Sequence, residues 1–181
     1  THCGASGINA IALSLDDVYR TRAERLALAR DVHPLLATRG VPGTHDLALL
    51  HATLDAIDRA TPNTPASVPR FDKGSDDRAP TATWQRIDAS PQLIVLEGWC
   101  IGVAPQPDAA LLTPINTLER DEDPDGRWRH HVNTALAGDY AQLWRRLDRL
   151  VVLQAPSFDV VASWRDEQEW PGPVNWVGHT Q

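Results

Sequence analysis

The feature that most constrains the fold is an uninterrupted apolar run, Leu-Ile-Val-Leu at residues 93–96, followed at once by Glu97 and Gly98. Apolar runs of this length are typical of a strand that is buried on both faces of a parallel sheet. In open α/β sheets, ligands bind in the crevice outside the carboxyl ends of the strands. We therefore expect Glu97 to face an active site, whereas the alternative is a strand that simply ends in a polar turn.

A second apolar run covers residues 10–15 and ends in Asp16 and Asp17, which predicts another strand with acids at its carboxyl end. Apolar periodicity, capping signals and turn residues predict the other elements. These are a helix from Thr21 to about Val32, a helix over 47–57, short strands within 67–73 and 83–87, a helix over 132–147, a buried strand at 150–153 and a helix over 160–169. Strands that alternate with helices indicate a doubly wound, mostly parallel α/β sheet.

Composition limits the classes of protein to which the chain can belong. Its 181 residues and 42% hydrophobic content suffice for a single domain over 1–181, and the net charge of −7 argues against a nucleic-acid or anionic-membrane partner. No apolar run has the length of a membrane span and no signal peptide opens the chain, so we expect a cytoplasmic protein. Cys3 and Cys100 fit neither a disulfide framework nor a metal site, and we expect both to be reduced.

A glycine-rich turn near the start resembles half of a phosphate-binding loop. Gly4, Ala5, Ser6 and Gly7 match the beginning of the pattern G-x-x-x-x-G-K-[ST], in which backbone N–H groups hold nucleotide phosphates. The lysine and hydroxyl residue of the pattern do not follow. A strand, crossover helix and next strand need about 30 residues. Since the next apolar run begins almost directly after Gly7, we expect residues of the protein to be missing from the sequence near 7/8.

The segment 117–131 combines many charges with a flexible Asp125-Gly126 pair, which favours a mobile lid. Arg127 and Arg129 would project the same way from an extended segment, toward bound phosphates. The alternative is a solvated helix start in which the two arginines pair with neighbouring acids. Together with the glycine turn and the acids at the strand ends, such a lid supplies what phosphoryl transfer requires: phosphate-binding N–H groups, metal ligands, an orienting carboxylate and cations.

Several blocks of sequence resemble the glycerate kinase family of plants and fungi, a branch of the P-loop kinases. They are residues 14–19, 38–46 (Thr-Arg-Gly-Val-Pro-Gly-Thr-His-Asp), 69–73 (Pro-Arg-Phe-Asp-Lys), 76–78, 97–100 and 116–133. The resemblance extends over nearly all of residues 10–169. It implies a P-loop kinase architecture and transfer of the ATP γ-phosphate to a hydroxyl of D-glycerate, with Mg²⁺ as cofactor. The family's pattern is not continued after Glu169, so we expect a second gap near 169/170.

The resemblance also implies roles for individual residues. Asp16 is expected to orient or deprotonate the acceptor hydroxyl close to Mg²⁺, with Asp17 in support, and Glu97 to bind the metal directly or through water. The residues expected to contact the substrate are Tyr19, Arg39, Thr44, His45, Arg70 and Lys73. Arginine is the natural partner of a carboxylate such as that of glycerate. The alternative for Arg39 and Arg70 is that they pair with nearby aspartates and hold loops together.

Two other classes of function stay open at this point. One is a kinase of the same fold that acts on a nucleoside, a pantoate-like acid or a sugar phosphate. The other is a non-catalytic nucleotide-binding relative without a complete phosphate loop. If the sequence has no gap after Gly7, the missing lysine predicts that the protein has no kinase activity.

Overall fold

The structure is a computed structural model that describes residues 7–157, 160, 161 and 164. Its strands are β1 (Ala10–Ser14), β2 (Ala66–Val68), β3 (Phe71–Asp72), β4 (Asp77–Arg78), β5 (Gln85–Ile87) and β6 (Leu93–Glu97). Its α-helices are α1 (Arg22–Asp31), α2 (Leu47–Asp58), α3 (Thr117–Glu122), α4 (Arg127–Ala135) and α5 (Ala141–Trp144). Short 3-10 turns lie at Leu15–Val18, Pro34–Ala37, Thr81–Thr83 and Asp108–Leu111, and a π-helical turn at Leu136–Tyr140 joins α4 to α5.

The two apolar runs form a parallel pair of strands, as predicted. β1 and β6 lie side by side with Ala10 opposite Leu93, so that both strands end at the same edge. One face packs into the core through Leu13, which is 4% exposed, whereas Val95 on the other face is 47% exposed. The prediction that the run 93–96 is buried on both faces is therefore wrong for the described chain. The reason is that β6 pairs only with β1 there, and its outer side chains have little cover.

Local signals account for the two helices that follow β1. At the start of α1 the Thr21 hydroxyl accepts from the Glu24 N–H, and the Glu24 carboxylate accepts from the Thr21 N–H at 2.8 Å, which is the predicted capping box. In α2 the predicted apolar face is buried, with Leu50 at 1% and Ile57 at 0% exposure. Burying each such side chain contributes about 1.5–3 kcal/mol, which fixes α2 against the strands.

Residues 66–87 form two small antiparallel pairs beside this framework. β2 pairs with β5, with Ala66 opposite Ile87, and β3 pairs with β4 through a tight turn in which Asp76 has a φ of 54°. The strands expected within 67–73 and 83–87 are thus confirmed, the first of them as two short strands. This arrangement projects the charged turn that follows Phe71 toward the carboxyl end of β1.

The last helical stretch completes the core. The helix predicted over 132–147 is present as α4, the π-helical turn and α5, and its apolar stripe buries Leu136, Tyr140 and Leu143. These side chains belong to one hydrophobic cluster with Leu13, Leu15 and the apolar face of α2. None of the described helices is long and apolar enough to cross a membrane.

The chain divides into two compact units, residues 1–148 and 149–181. In the second unit the strand predicted at 150–153 is absent, and Val151 and Leu153 are 81% and 95% exposed. The prediction of a buried strand is therefore wrong here, because a strand needs a hydrogen-bonded neighbour and none of the described strands pairs with this segment. Of the helix predicted over 160–169, residues 160, 161 and 164 are helical, and the rest lies outside the described residues.

Candidate active site

Two carboxylates lie at the carboxyl ends of the paired strands. Asp16 is in the 3-10 turn that begins directly after β1, and Glu97 is the last residue of β6, opposite Ser14. The predicted placement of both acids at one edge of the sheet is thus confirmed. Gly98 allows the chain after β6 to lie close to the turn after β1, because a Cβ at position 98 would be 2.8 Å from the Cβ of Leu15.

The turn that follows β3 brings cations to these acids. Lys73 donates to the Asp16 carboxylate at 3.0 Å, and Arg70 donates to Asp17 at 2.7 Å. Asp17 also accepts from the backbone N–H of Phe71 at 3.1 Å, so it fastens β3 to the turn after β1. Asp17 thereby supports the position of Lys73, whose side chain is 63% exposed beside Asp16.

A stack of buried rings lies behind Asp16. Tyr19 stacks on His45 with 4.3 Å between the ring centroids, and Phe71 meets Tyr19 edge-on at 5.5 Å. Burial, and next the charge of Asp16, raises the pKa of Tyr19, so its phenol stays protonated. Burial lowers the pKa of His45 to about 4, so its imidazole is neutral near pH 7.

The hydrogen bonds of Tyr140 assign the tautomer of His45. The Gly43 N–H donates to the Tyr140 hydroxyl at 3.0 Å, and that hydroxyl lies 2.5 Å from Nδ1 of His45. A buried phenol O–H needs an acceptor, and Nδ1 provides one. The proton of the neutral ring is then on Nε2, which is buried without a hydrogen-bond partner among the described residues.

Three of the residues expected to contact substrate hold loops together in this structure, and their contact with substrate stays a prediction. Arg39 forms an ion pair with Asp76 and lies over the Phe71 ring at 5.6 Å, which is the alternative that the sequence left open. Arg70 is engaged by Asp17 in the same way. The Thr44 hydroxyl is fully buried and donates to the Val41 carbonyl at 2.7 Å, so it closes its own turn.

Asp76 is a shared anchor for this arrangement. The fully buried Arg25 pairs with it at 2.9 Å, and the hydrogen bonds from Arg25, with those from Arg39, lower the pKa of the Asp76 carboxyl. A shallow cleft of about 430 Å³ opens beside these residues and is also lined by Arg22, Leu26, Ala37 and Thr38. The cleft lies on the Arg39 side and is not lined by Asp16 or Glu97.

The charged segment 117–131 is mostly helical. The extended conformation expected for Arg127 and Arg129 is wrong, because both lie in the first turn of α4, where side chains two positions apart diverge. Arg129 is 8% exposed and donates to the Leu111 carbonyl at 2.6 Å and to the Asp123 carboxylate at 3.0 Å. These buried contacts give Arg129 a structural role, and its predicted catalytic role stays a prediction. Arg127 is exposed.

The glycine-rich turn is only partly described. Gly4, Ala5 and Ser6 lie outside the described residues, as does Cys3, and Gly7 is exposed with a φ of 71°. Cys100 is a buried free thiol, as expected.

Two residues near the candidate site were not predicted from the sequence. Tyr140 meets the His45 ring edge-on at 5.9 Å, and Arg20 donates to the Gly43 carbonyl nearby. The sequence had placed Tyr140 only in an apolar stripe and had given Arg20 no role.

Comparisons with known proteins point to kinases. The uncharacterized kinase mug58 of Schizosaccharomyces pombe is 33% identical over 168 residues, which are 88% of this chain and 58% of that protein. The chloroplastic D-glycerate 3-kinase of Arabidopsis thaliana is 32% identical over 165 residues, or 87% of this chain and 34% of that protein. No protein-family model matches the chain.

A solved structure shares the fold. D-glycerate 3-kinase from Cryptococcus neoformans matches with a TM-score of 0.71 and 28% identity, over 92% of this chain and 61% of that one. The predicted α/β fold with a parallel sheet is therefore confirmed as that of a kinase. The chain spans 58% and 34% of the lengths of the two curated relatives described.

Proposed function

The chain is a homologue of D-glycerate 3-kinase and of related kinases, and from this premise we propose that it transfers the γ-phosphate of ATP to a hydroxyl of D-glycerate, giving 3-phosphoglycerate. The observation that carries the proposal is that Asp16 and Glu97 lie at the carboxyl ends of two paired parallel strands, in a chain that is 32% identical over 165 residues to a D-glycerate 3-kinase.

Asp16 is the residue that we assign to the acceptor hydroxyl. A carboxylate within hydrogen-bond reach accepts the hydroxyl proton as the oxygen attacks phosphorus, and the bond from phosphorus to the leaving phosphate oxygen breaks. Lys73, 3.0 Å from Asp16, stabilises the ionised carboxylate and adds positive charge where negative charge develops. Tyr19, protonated and buried beside Asp16, supplies a further donor for the substrate or for Asp16 itself.

The acids at the sheet edge fit a magnesium ion. Mg²⁺ takes oxygen ligands, keeps several waters and is usually held by one or two protein carboxylates. Glu97 is exposed at the end of β6, and Asp16 follows the neighbouring strand, so these two carboxylates would hold the ion. When bound, Mg²⁺ neutralises charge on the phosphate oxygens of the nucleotide.

The nucleotide phosphates are assigned to the backbone N–H groups of residues 4–7, with Arg127 as a cation from the lid segment. Homologous kinases support the use of ATP. The residues after Gly7 do not complete a phosphate loop, since Asn9, Ala10 and Ile11 stand where the pattern needs glycine, lysine and serine or threonine. We therefore assign no catalytic step to such a lysine in this chain.

A cytoplasmic location is also part of the proposal, and it rests on the sequence. The Arabidopsis relative is named as a chloroplastic protein.

The test is an acceptor panel with ATP, Mg²⁺ and the full-length protein. D-Glycerate, a nucleoside, a pantothenate-like acid and a sugar phosphate are compared by ADP release, and the product is identified by phosphorus NMR. We expect the highest kcat/KM with D-glycerate and 3-phosphoglycerate as product. A higher kcat/KM for another acceptor would contradict the proposed substrate, and nucleotide binding without any phosphorylated product would contradict kinase activity.

A further inference from the structure

The side chains of Arg20 and of two histidines lie close to the turn at residues 41–44, which we call the Gly43 turn. The Arg20 Nε–H donates to the Gly43 carbonyl at 3.3 Å, and the Arg20 backbone N–H donates to the Thr44 carbonyl at 2.9 Å. On the other side of the turn, a Cβ at Gly43 would lie 2.8 Å from Nε2 of His131. His45 is two residues further on and forms an isolated antiparallel bridge with Tyr19. The turn thus gathers three nitrogen-bearing side chains next to the ring stack.

The guanidinium of Arg20 is differently engaged from those of its neighbours. Arg25, Arg39, Arg70 and Arg78 each form an ion pair with an aspartate. No such pair is formed by Arg20 within the part of the chain that the structure describes, where its contact is the single Nε–H bond to a carbonyl. The half-buried Arg20 side chain therefore keeps two terminal nitrogens for an anion.

His45 adds a donor that has no partner. It is 1% exposed, and its Nε2–H has no hydrogen bond among the described residues because Tyr140 occupies the opposite nitrogen. Leaving a buried donor unsatisfied costs roughly 1–3 kcal/mol. The positive charge of Arg20 helps to lower the pKa of both His45 and His131 after the larger effect of burial, and Asp16 acts on His45 in the opposite direction. Arg20 is therefore an electrostatic neighbour of both histidines, and Asp16 is one of His45.

We propose that Arg20 binds the carboxylate of the acceptor, with His45 Nε2–H and His131 as the adjoining donors. This inference rests on the proposed function and replaces Arg39 and Arg70 as the residues that recognise the acid. A guanidinium fork matches a carboxylate bidentately. Asp16 lies beside Tyr19, which stacks on His45, and Arg20 is held at the Gly43 turn two residues before His45, so a small acid whose carboxylate binds Arg20 is placed with its hydroxyl end toward Asp16.

The test compares D-glycerate with D-glyceramide, which has the same hydroxyls but no charge, in Arg20→Gln and Arg20→Lys proteins. Glutamine retains a donor for the Gly43 carbonyl, and lysine retains the charge without the fork. Arg30→Gln is the matched control, because Arg30 is exposed and, within the described part of the chain, pairs with its neighbour Asp31. Hydrogen bonds to charged groups contribute about 1.5–3 kcal/mol. We therefore expect Arg20→Gln to raise the KM for D-glycerate roughly 10-fold to 100-fold, with little change in kcat, in the KM for ATP or in the KM for glyceramide.

The outcomes separate this inference from the function on which it rests. If the wild-type protein phosphorylates D-glycerate and Arg20→Gln leaves its KM unchanged, whereas Arg39→Gln raises it, the assignment of Arg20 is overturned and the proposed function stands. If the wild-type protein neither binds nor phosphorylates D-glycerate, both are overturned. Thermal unfolding checks each variant. If Arg20→Gln does not fold, Arg20→Lys provides the test. Lysine lacks the two-pronged guanidinium, so we expect its KM for D-glycerate to be several-fold above that of wild type. An unchanged KM in Arg20→Lys would contradict the proposal.

Discussion

At the scale of single residues, His45 links the stability of the protein to pH. Its folded pKa is lowered to about 4, chiefly by burial, whereas an unfolded histidine titrates near 6.5. Between these values the unfolded state binds more protons, so the stability present above pH 6.5 falls as the pH is lowered toward 4. At about 1.4 kcal/mol for each pKa unit, the loss is at most about 3.5 kcal/mol.

Urea unfolding of wild-type and His45→Asn proteins between pH 7 and 4.5 measures this contribution. Asparagine keeps an acceptor for the Tyr140 hydroxyl but has no group that titrates in this range. We expect the free energy of unfolding to fall less steeply with acid in His45→Asn than in wild type. His130→Asn is the control, because His130 is exposed on α4. Parallel curves for wild-type and His45→Asn proteins would contradict a neutral, buried His45.

The positions of the acids in the candidate site were predictable from sequence, and the hydrogen-bond and ion-pair partners of its donors were not. Asp16 and Glu97 each follow an apolar run, and parallel strands bring such ends together. The tautomer of His45 depends instead on Tyr140, which is 95 residues away in the chain. Nothing in the local sequence around Arg20 distinguishes it from Arg39, because the difference between them is the presence of Asp76 beside Arg39. Residue types were visible in the sequence, and their pairing was not.

At the scale of elements, the turn between α3 and α4 is held by a buried ion pair. Asp123 is fully buried and accepts from the backbone N–H groups of Trp128 and Arg129 as well as from the Arg129 guanidinium. Removing one partner of such a pair leaves a buried charge and costs about 3–5 kcal/mol. The start of α4 therefore depends on Arg129, whereas the exposed Arg127 contributes little to folding.

The two arginines are consequently expected to respond differently to substitution. Arg129→Ala should lower the melting temperature strongly. Arg127→Ala should leave the melting temperature nearly unchanged and lower kcat, by roughly 100-fold if a transition-state charge contact is lost. Differential scanning calorimetry and kcat measurements on both variants check this. An Arg129→Ala protein with wild-type stability and no turnover would show that Arg129 serves catalysis after all.

Elements with strong local signals were predicted well, and those that depend on distant partners were not. The capping box at Thr21 and the apolar spacing of α2 are properties of a short stretch, and both helices formed as expected. The exposure of Val95 and of residues 150–153 depends on which strands lie beside them. Similarly, the hydrogen bonds that Asp123 accepts made the start of α4 helical, although the Asp125-Gly126 pair had favoured an extended lid.

At the scale of the whole molecule, the structure joins a parallel pair of strands, a ring stack and a helical stretch around one polar edge. The apolar faces of β1 and α2 pack in one cluster with Tyr140, which in turn holds the Gly43 turn and His45. Tyr140 thus connects the core to the proposed substrate contacts. Asp16 is the residue on which the proposed mechanism depends most, because it is assigned both to the acceptor hydroxyl and, with Glu97, to the proposed metal site.

The most direct test is the turnover of an Asp16→Asn variant with ATP and D-glycerate. Asparagine keeps the size of the side chain but cannot accept the hydroxyl proton, so we expect kcat to fall by about 100-fold to 10,000-fold with the affinity for ATP nearly intact. Asp88→Asn is the control, because Asp88 is an exposed aspartate that pairs with Arg86. Product formation is followed by phosphorus NMR. An Asp16→Asn protein that keeps most of the wild-type kcat would contradict the assignment of Asp16 and with it the proposed mechanism.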